Sequence, residues 1–342
     1  MISNSYPHLL SPGYINKMEV KNRIMVTAMG VSLSEEDGTV GEKLIAYHED
    51  QARGGAGLII AGVAGVAWPI GAVALQQTAI SDDKFLPGLT ELCTRVHAHG
   101  AKIAAQLHHG GLVAGYSSRW GHPLWAPCIP PAPTGNFMKY FLPEELAAFS
   151  GITMPEIKVL TPEDIATVVR QFAEGAARAQ KAGFDAVEIH SGHGYLLSSF
   201  ISPKTNSRTD EYGGPIENRL RILREVLAAV RAAVGADYPV WVKLDSREVG
   251  KTDGISLEDA KFAARTVEDA GADAITVSAY HDTGNGKLHS ESNIPHVENF
   301  NLPAAAEMKA EVSIPIIASG RIEVDTADRT IGKGDADFIA MG

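Results

Sequence analysis

Eight short apolar runs recur along the chain, and their repetition is what most restricts the fold: "NRIMVTAM" (22–29), "GAGLIIAG" (55–62), "GAKIAAQL" (100–107), "GFDAVEI" (183–189), "YPVWVKL" (238–244), "GADAITVS" (271–278), "IPIIAS" (314–319) and "GDADFIAM" (334–341). Runs this short, rich in β-branched residues and apolar at consecutive positions, read as strands buried on both faces. Between them lie stretches with apolar residues at three- and four-residue steps, such as 162–182, 217–234 and 257–270. Several of these open on acidic residues, which suit a helix N-terminus. Strand and helix in alternation predict parallel β/α units, and eight strands predict a closed (β/α)8 TIM barrel of the α/β class. No G-x-G-x-x-G follows any of the runs, so an open doubly wound sheet is the weaker reading.

The 342 residues suffice for one such barrel with insertions, so 1–342 is expected to be a single domain. "GYINKMEVKNR" before the first strand predicts a hairpin closing the barrel floor. Segment 108–160, after the third strand, is rich in Pro, Gly and aromatics, and a connection this long is expected to form a lid-like insertion over the site. The chain stops at Gly342, directly after the eighth strand. The final helix that would cover that strand is absent from the sequence, so the native protein is expected to continue past this residue.

Lys and Arg total 30 against 41 Asp and Glu, a net charge of −11, which leaves no basic footprint for nucleic acid or an anionic membrane. No signal-like N-terminus and no run of about 20 apolar residues is present, so neither secretion nor membrane insertion is expected. Two cysteines, Cys93 and Cys128, are too few for a disulfide framework and fit a reducing compartment, so a cytoplasmic location is expected. The sequence is compatible with a homo-oligomer.

In a barrel of this kind chemistry sits at the C-terminal strand ends. Those ends carry "TAMG" (27–30), "AGVAG" (61–65), "QLHHGG" (106–111), "HSGHGY" (190–195), "KLDSR" (243–247), "SAYH" (278–281), "SGR" (319–321) and Gly342. Two histidines and a tyrosine within "HSGHGY" would, in an arbitrary loop, more often be packed or exposed residues than catalytic ones. Their place at a strand end, among Gln, Lys and Arg from other ends, favours a reactive pocket.

Four stretches carry a family resemblance: "VKNRIMVTAM", "GAKIAAQLHHGG", "DAVEIHSGHGYLLSSFISPKTNSRTDEYGGPIENRLRILREV" and the terminal "IASGRI…DADFIAMG". The chain resembles the old yellow enzyme family of FMN-dependent ene-reductases, in particular the bacterial branch with 2,4-dienoyl-CoA reductase and enoate reductase relatives. The resemblance implies non-covalent FMN, NAD(P)H as electron donor, and an enone, enal or enoate-type small-molecule alkene as substrate. It implies that His190 and His193 bind the substrate's carbonyl oxygen and stabilise the growing enolate charge, and that Tyr195 protonates the α-carbon as general acid. For the flavin it implies the backbone at Ala28 and Met29 and around Val63, the amide of Gln106, Lys243 near the N1–O2 edge, and phosphate contacts at Ser319, Gly320, Arg321 and Gly342.

The chain departs from the family pattern at several positions. Lys243 stands where arginine is usual, which removes a bidentate donor. Gly30 stands where relatives carry a redox-tuning Cys or Thr, or a covalent flavin link, and Leu112 stands where many carry arginine. The arginine after the last glycine is missing. "TDEYGG" with "ENR" (209–214, 217–219) reads as structural, Asn218 or Arg219 anchoring the histidine loop. A 4Fe–4S cluster and FAD are expected only if the native chain extends past Gly342. Two rival readings are a Schiff-base aldolase or lyase using Lys243, and a metal-dependent hydrolase using His108, His109, His190 and His193 with Asp245. The favoured reading expects no metal.

Overall fold

The computed structural model describes residues 5–130, 143, 155–281 and 297–342. Eight strands, here β1 (Ile24–Val26), β2 (Leu58–Gly65), β3 (Lys102–His108), β4 (Ala186–Ser191), β5 (Val240–Val249), β6 (Ile275–His281), β7 (Ile316–Ser319) and β8 (Phe338–Met341), pair side by side in chain order. Every pairing between them is parallel, and β8 pairs back onto β1, so the sheet closes. The expected (β/α)8 barrel is the observed fold.

Helices Glu42–Arg53 (α1), Leu86–His97 (α2), Pro162–Ala182 (α3), Arg221–Val234 (α4), Leu257–Asp269 (α5), Leu302–Lys309 (α6) and Val324–Lys333 (α7) occupy the seven crossovers. Their starts follow local chemistry. Thr161 and Ser256 each accept a backbone N–H from the aspartate three residues on, while that aspartate accepts the cap's own N–H. These reciprocal pairs satisfy donors the first turn leaves open.

Several boundaries differ from expectation by a few residues, two of them for a visible local reason. The strand expected over 55–62 runs over Leu58–Gly65, because Gly54–Gly57 ends α1 and turns the chain, while Ala64 and Gly65 pair with Leu107 and His108 beyond a bulge. The helix expected over 217–234 is two, Ile216–Arg219 and α4, separated at Leu220. The first is held by its side chains: Asn218 donates to Gly213 O, and Arg219 to Gly214 O, Ile201 O and Asp259. Arg219 thereby ties down the short helix Leu196–Ile201, which follows the histidine loop.

The predicted hairpin forms from Gly13–Ile15 and Met18–Val20. Its Ile15, Met18 and Val20 are buried with Met25, Leu58, Ile60, Trp241 and Phe338, which fill the barrel's lower end. The lid expected over 108–160 is described only in part: Leu124–Ala126 pairs with Ile157–Val159, and 131–142 and 144–154 lie outside the described residues. No described helix is long and apolar enough to cross a membrane.

Candidate active site

Side chains alternate across a strand, so residues two apart on one barrel strand face the same interior. Along β3 to β6 this inward row begins apolar and turns polar toward the C-terminal end: Ala104 then Gln106 and His108, Ala186 then Glu188 and His190, Trp241 then Lys243 and Asp245, and Ala274, just before β6, then Thr276 and Ser278. Above the apolar floor these rows enclose a cavity of about 510 Å³. A volume of that size suits a small-molecule or cofactor site.

The twelve residues singled out in the sequence all line this one cavity. Ala28 and Met29 lie beyond β1, Val63 on β2, Gln106 on β3, His190, His193 and Tyr195 at and after β4, and Lys243 on β5. Ser319, Gly320 and Arg321 close β7, and Gly342 follows β8. Thr27, Gly30 and Ala340 complete the lining.

Gln106 is buried and its orientation is fixed from behind: its Nε2 donates to Glu188 Oε2 at 2.5 Å. Glu188 is fully buried, and its other oxygen accepts from Trp241 Nε1 (2.8 Å) and Thr276 Oγ1 (2.5 Å). Barrel register explains the cluster, since Gln106 and Trp241 are the lateral neighbours of Glu188 on the flanking strands. With one N–H spent on Glu188, Gln106 keeps its Oε1 and one N–H for the cavity side. Gly62 allows this approach: a Cβ there would fall 2.5 Å from Ala28 Cβ and 3.0 Å from Gln106 Oε1. Glu188 was not singled out in the sequence, although a carboxylate inside the apolar run "FDAVEI" was a visible signal.

His190 and Lys243 are lateral partners across β4 and β5. His190 Nδ1 accepts the Gly192 N–H at 3.2 Å, so the neutral ring carries its proton on Nε2 and can donate it. His193 adopts φ +60°; its N–H donates to Asp245 Oδ2 at 2.6 Å, and its Nε2 lies 2.6 Å from Ser278 Oγ. Burial holds both histidines well below the ordinary histidine range, aided by Lys243 and, for His190, by its neighbouring histidine, so both are neutral donors or acceptors. The Tyr195 ring packs edge-on to His190, with centroids 4.8 Å apart, and to His108, at 4.4 Å. Burial, and then the Asp245 charge, push the Tyr195 phenol up, so it holds its proton at neutral pH.

Lys243 is 3% exposed and forms no ion pair among the described residues; its nearest polar partner is Thr27 Oγ1 at 3.5 Å. Lys243 and Arg321 are the charged residues lining the cavity, in a chain of net charge −11. Gly320 (φ +107°) and Arg321 (φ +49°) turn the backbone at the end of β7 just before α7, and a helix N-terminus favours an anion. The Ser319 hydroxyl is spent on Val277 O at 2.8 Å, so Ser319 has only its backbone to offer a ligand.

The histidine set weighed for a metal is divided. His108 is buried behind Tyr195 with both ring nitrogens unpartnered among the described residues, while His109 packs on Trp125 and its Nδ1 accepts the Gly111 N–H. Among the described residues no group of three or more His, Cys, Asp or Glu has the geometry to hold a metal ion.

The sequence profile of the NADH:flavin oxidoreductase / NADH oxidase family matches residues 8–342. The NADH oxidase of Thermoanaerobacter brockii is 36% identical over 338 residues, covering 98% of this chain and 49% of that protein. The cinnamate reductase of Clostridium sporogenes is 34% identical over 358 residues, covering 100% of this chain and 51% of that protein. Among solved structures, a 2-naphthoyl-CoA reductase in complex with 2-naphthoyl-CoA superposes with a TM-score of 0.83 at 27% identity, over 98% of this chain and 50% of the other. This chain spans about half the length of each of these proteins.

Proposed function

The chain belongs to the NADH:flavin oxidoreductase / NADH oxidase family, the old yellow enzymes, and on that premise we propose that it is an NAD(P)H-dependent flavin oxidoreductase that reduces the activated C=C bond of an α,β-unsaturated carbonyl or enoate-type substrate. The observation that carries the reading is Lys243: a buried cation without an ion pair among the described residues, facing a cavity whose other walls offer an amide, two neutral histidines and a phenol. An unpaired buried ammonium is costly, and an anionic ligand edge offsets that cost.

These residues fit non-covalent FMN. Lys243 and the oriented Gln106 amide would meet the ring's pyrimidine edge, the backbone at Ala28, Met29 and Val63 would flank the ring, and the backbone at Ser319, Gly320 and Arg321 with Gly342 would meet the phosphate. Gly30 carries no side chain that could link to the ring. When bound, the flavin supplies hydride to the substrate's β-carbon. His190 Nε2–H and the cavity-facing nitrogen of His193 would hold the carbonyl oxygen and stabilise charge growing there. Tyr195, its phenol proton kept in place by burial, would deliver that proton to the α-carbon.

A 4Fe–4S cluster is held by four thiolates, and this sequence has two cysteines, Cys93 and Cys128, both free. Free thiols also support a reducing compartment such as the cytoplasm.

The test is the visible spectrum of the purified chain before and after denaturation. A flavin band that passes into the supernatant, with turnover of an enone by NADH or NADPH, is expected. A colourless chain that also fails to take up added FMN overturns the reading and returns Lys243 to Schiff-base chemistry.

A further inference from the structure

The groups behind His193 have no part in the reaction as described so far. His193 is held from two strands: Asp245 of β5 accepts its backbone N–H, and Ser278 of β6 meets its Nε2, both at 2.6 Å. A Cβ on Gly192 would lie 2.9 Å from Asp245 Oδ1, so glycine lets the carboxyl approach the loop. Asp245 Oδ1 has no hydrogen-bond partner among the described residues, and it lies 3.8 Å from His193 Nε2. Of the two ring nitrogens Nε2 is therefore engaged. Nδ1 is the one left for the cavity that His193 lines.

A neutral imidazole presents one donor and one acceptor, and only the donor can stabilise charge on a substrate oxygen. We propose that Asp245 and Ser278 are positioning residues that fix His193 as the Nδ1–H tautomer, so that a donor faces the substrate's carbonyl oxygen. The proposal rests on the reading of this cavity as a carbonyl-binding site.

The argument is one of matching donors to acceptors. Asp245 Oδ2 accepts a backbone N–H, so a proton on this carboxyl sits on Oδ1, the oxygen nearer Nε2. The Ser278 hydroxyl bonds only to His193 among the described residues and is free to donate. With the Ser278 O–H donating to it, Nε2 keeps its lone pair and Nδ1 keeps the proton, and a protonated Oδ1 at 3.8 Å puts no negative charge beside Nε2 to draw the proton back.

Burial pushes the Asp245 carboxyl up to about 8, so the acid form prevails at neutral pH. The groups facing it are Glu248, which raises it further; Lys243 and Lys251, which oppose; His193 and Tyr195 from the loop after β4; and Ser278 from β6. Ionisation places a negative charge 3.8 Å from Nε2, which draws the ring proton to Nε2, where Ser278 Oγ accepts it, and the Nδ1 lone pair then faces the carbonyl oxygen. The donor is present while Asp245 is protonated and is lost as pH rises through about 8.

The FMN-loaded chain labelled with 15N-histidine tests this by NMR, with His193 identified by the signals missing in His193→Gln. At neutral pH the substrate-free protein is expected to show Nδ1 as the protonated nitrogen, with the proton moving to Nε2 on the alkaline side. Asp245→Asn keeps the backbone acceptor and stays uncharged at every pH, so this transition is expected to vanish. Ser278→Ala removes a donor to Nε2 and is expected to weaken cyclohexenone binding, measured by calorimetry, about tenfold, one neutral hydrogen bond's worth. Wild-type binding of this non-titrating ligand is expected to weaken to a similar extent above the transition. Nε2 protonated at neutral pH, or an unchanged transition in Asp245→Asn, overturns the proposal. Should Asp245→Asn not fold, the wild-type pH series and Ser278→Ala decide alone. The NMR needs no substrate, so its failure sinks the tautomer assignment only, whereas cyclohexenone that binds wild type at no pH sinks the carbonyl-site reading.

Discussion

Replacing Lys243 by methionine should move the stability of the empty and the flavin-loaded protein in opposite directions. The ammonium is 3% exposed and its nearest polar partner among the described residues is a hydroxyl at 3.5 Å. Burying an unpaired ion costs several kcal/mol, but this one borders a cavity of about 510 Å³ that water can enter, so we discount the penalty to about 1–2 kcal/mol. Methionine, of similar length and apolar, relieves that penalty, so the apoprotein should gain about 1–2 kcal/mol. The loaded protein loses a charge-assisted contact worth about 1.5–3 kcal/mol, which weakens FMN binding by roughly 10- to 150-fold. A hundredfold weaker Kd removes about 2.7 kcal/mol of ligand-linked stability at saturating FMN, so the loaded variant should end about 1 kcal/mol below wild type. Urea unfolding with and without FMN, alongside a flavin fluorescence titration, measures both arms. An apoprotein destabilised by Lys243→Met, or an unchanged FMN affinity, would refute the argument that this lysine waits for an anion.

Tyr195→Phe is expected to slow alkene reduction by about 10²- to 10⁴-fold while leaving flavin reduction by NAD(P)H intact in stopped-flow; equal loss in both half-reactions removes Tyr195 from the acid role. His190→Ala should weaken phenolic ligands, which mimic an enolate, about tenfold in spectral titrations, and unchanged affinity counts against a donor at Nε2. Glu188→Leu leaves the Gln106, Trp241 and Thr276 donors without their acceptor and should cost about 3–5 kcal/mol in urea unfolding, since only the threonine can turn away; a loss under about 1 kcal/mol would show that water replaces the carboxylate. Burial lowers His108 to about 3 and His109 to about 4, and depresses His190 and His193 as well. The unfolded chain therefore binds protons that the folded one refuses, and stability must fall as pH drops below the ordinary histidine value near 6.5, by up to about 1.4 kcal/mol per histidine per pH unit. An apoprotein urea midpoint that stays flat between neutral pH and about pH 5 would contradict the burial of these rings.

The sequence by itself determined the barrel, because its signals are local: apolar runs, helical spacing and turn glycines act over a few residues. The same locality pointed to the strand ends, which converge on one face of a closed barrel, while the family resemblance picked out the twelve residues among them that line one cavity there. Even the boundary errors at 55–62 and 217–234 were shifts of a few residues, decided by a bulge and by side-chain bonds from Asn218 and Arg219. What only the tertiary structure decided is which of these side chains answer one another. Glu188 meets Gln106, Trp241 and Thr276 across sequence separations of 82, 53 and 88. Asp245 and Ser278 reach His193 across 52 and 85. Lys243 forms no ion pair among the described residues, its hydrogen-bond contact being the Thr27 hydroxyl, although Asp245 further along the same strand feels its charge. Those pairings depend on the lateral register of neighbouring strands, and register is fixed when the sheet closes on itself, by a geometry that no single stretch of the chain contains.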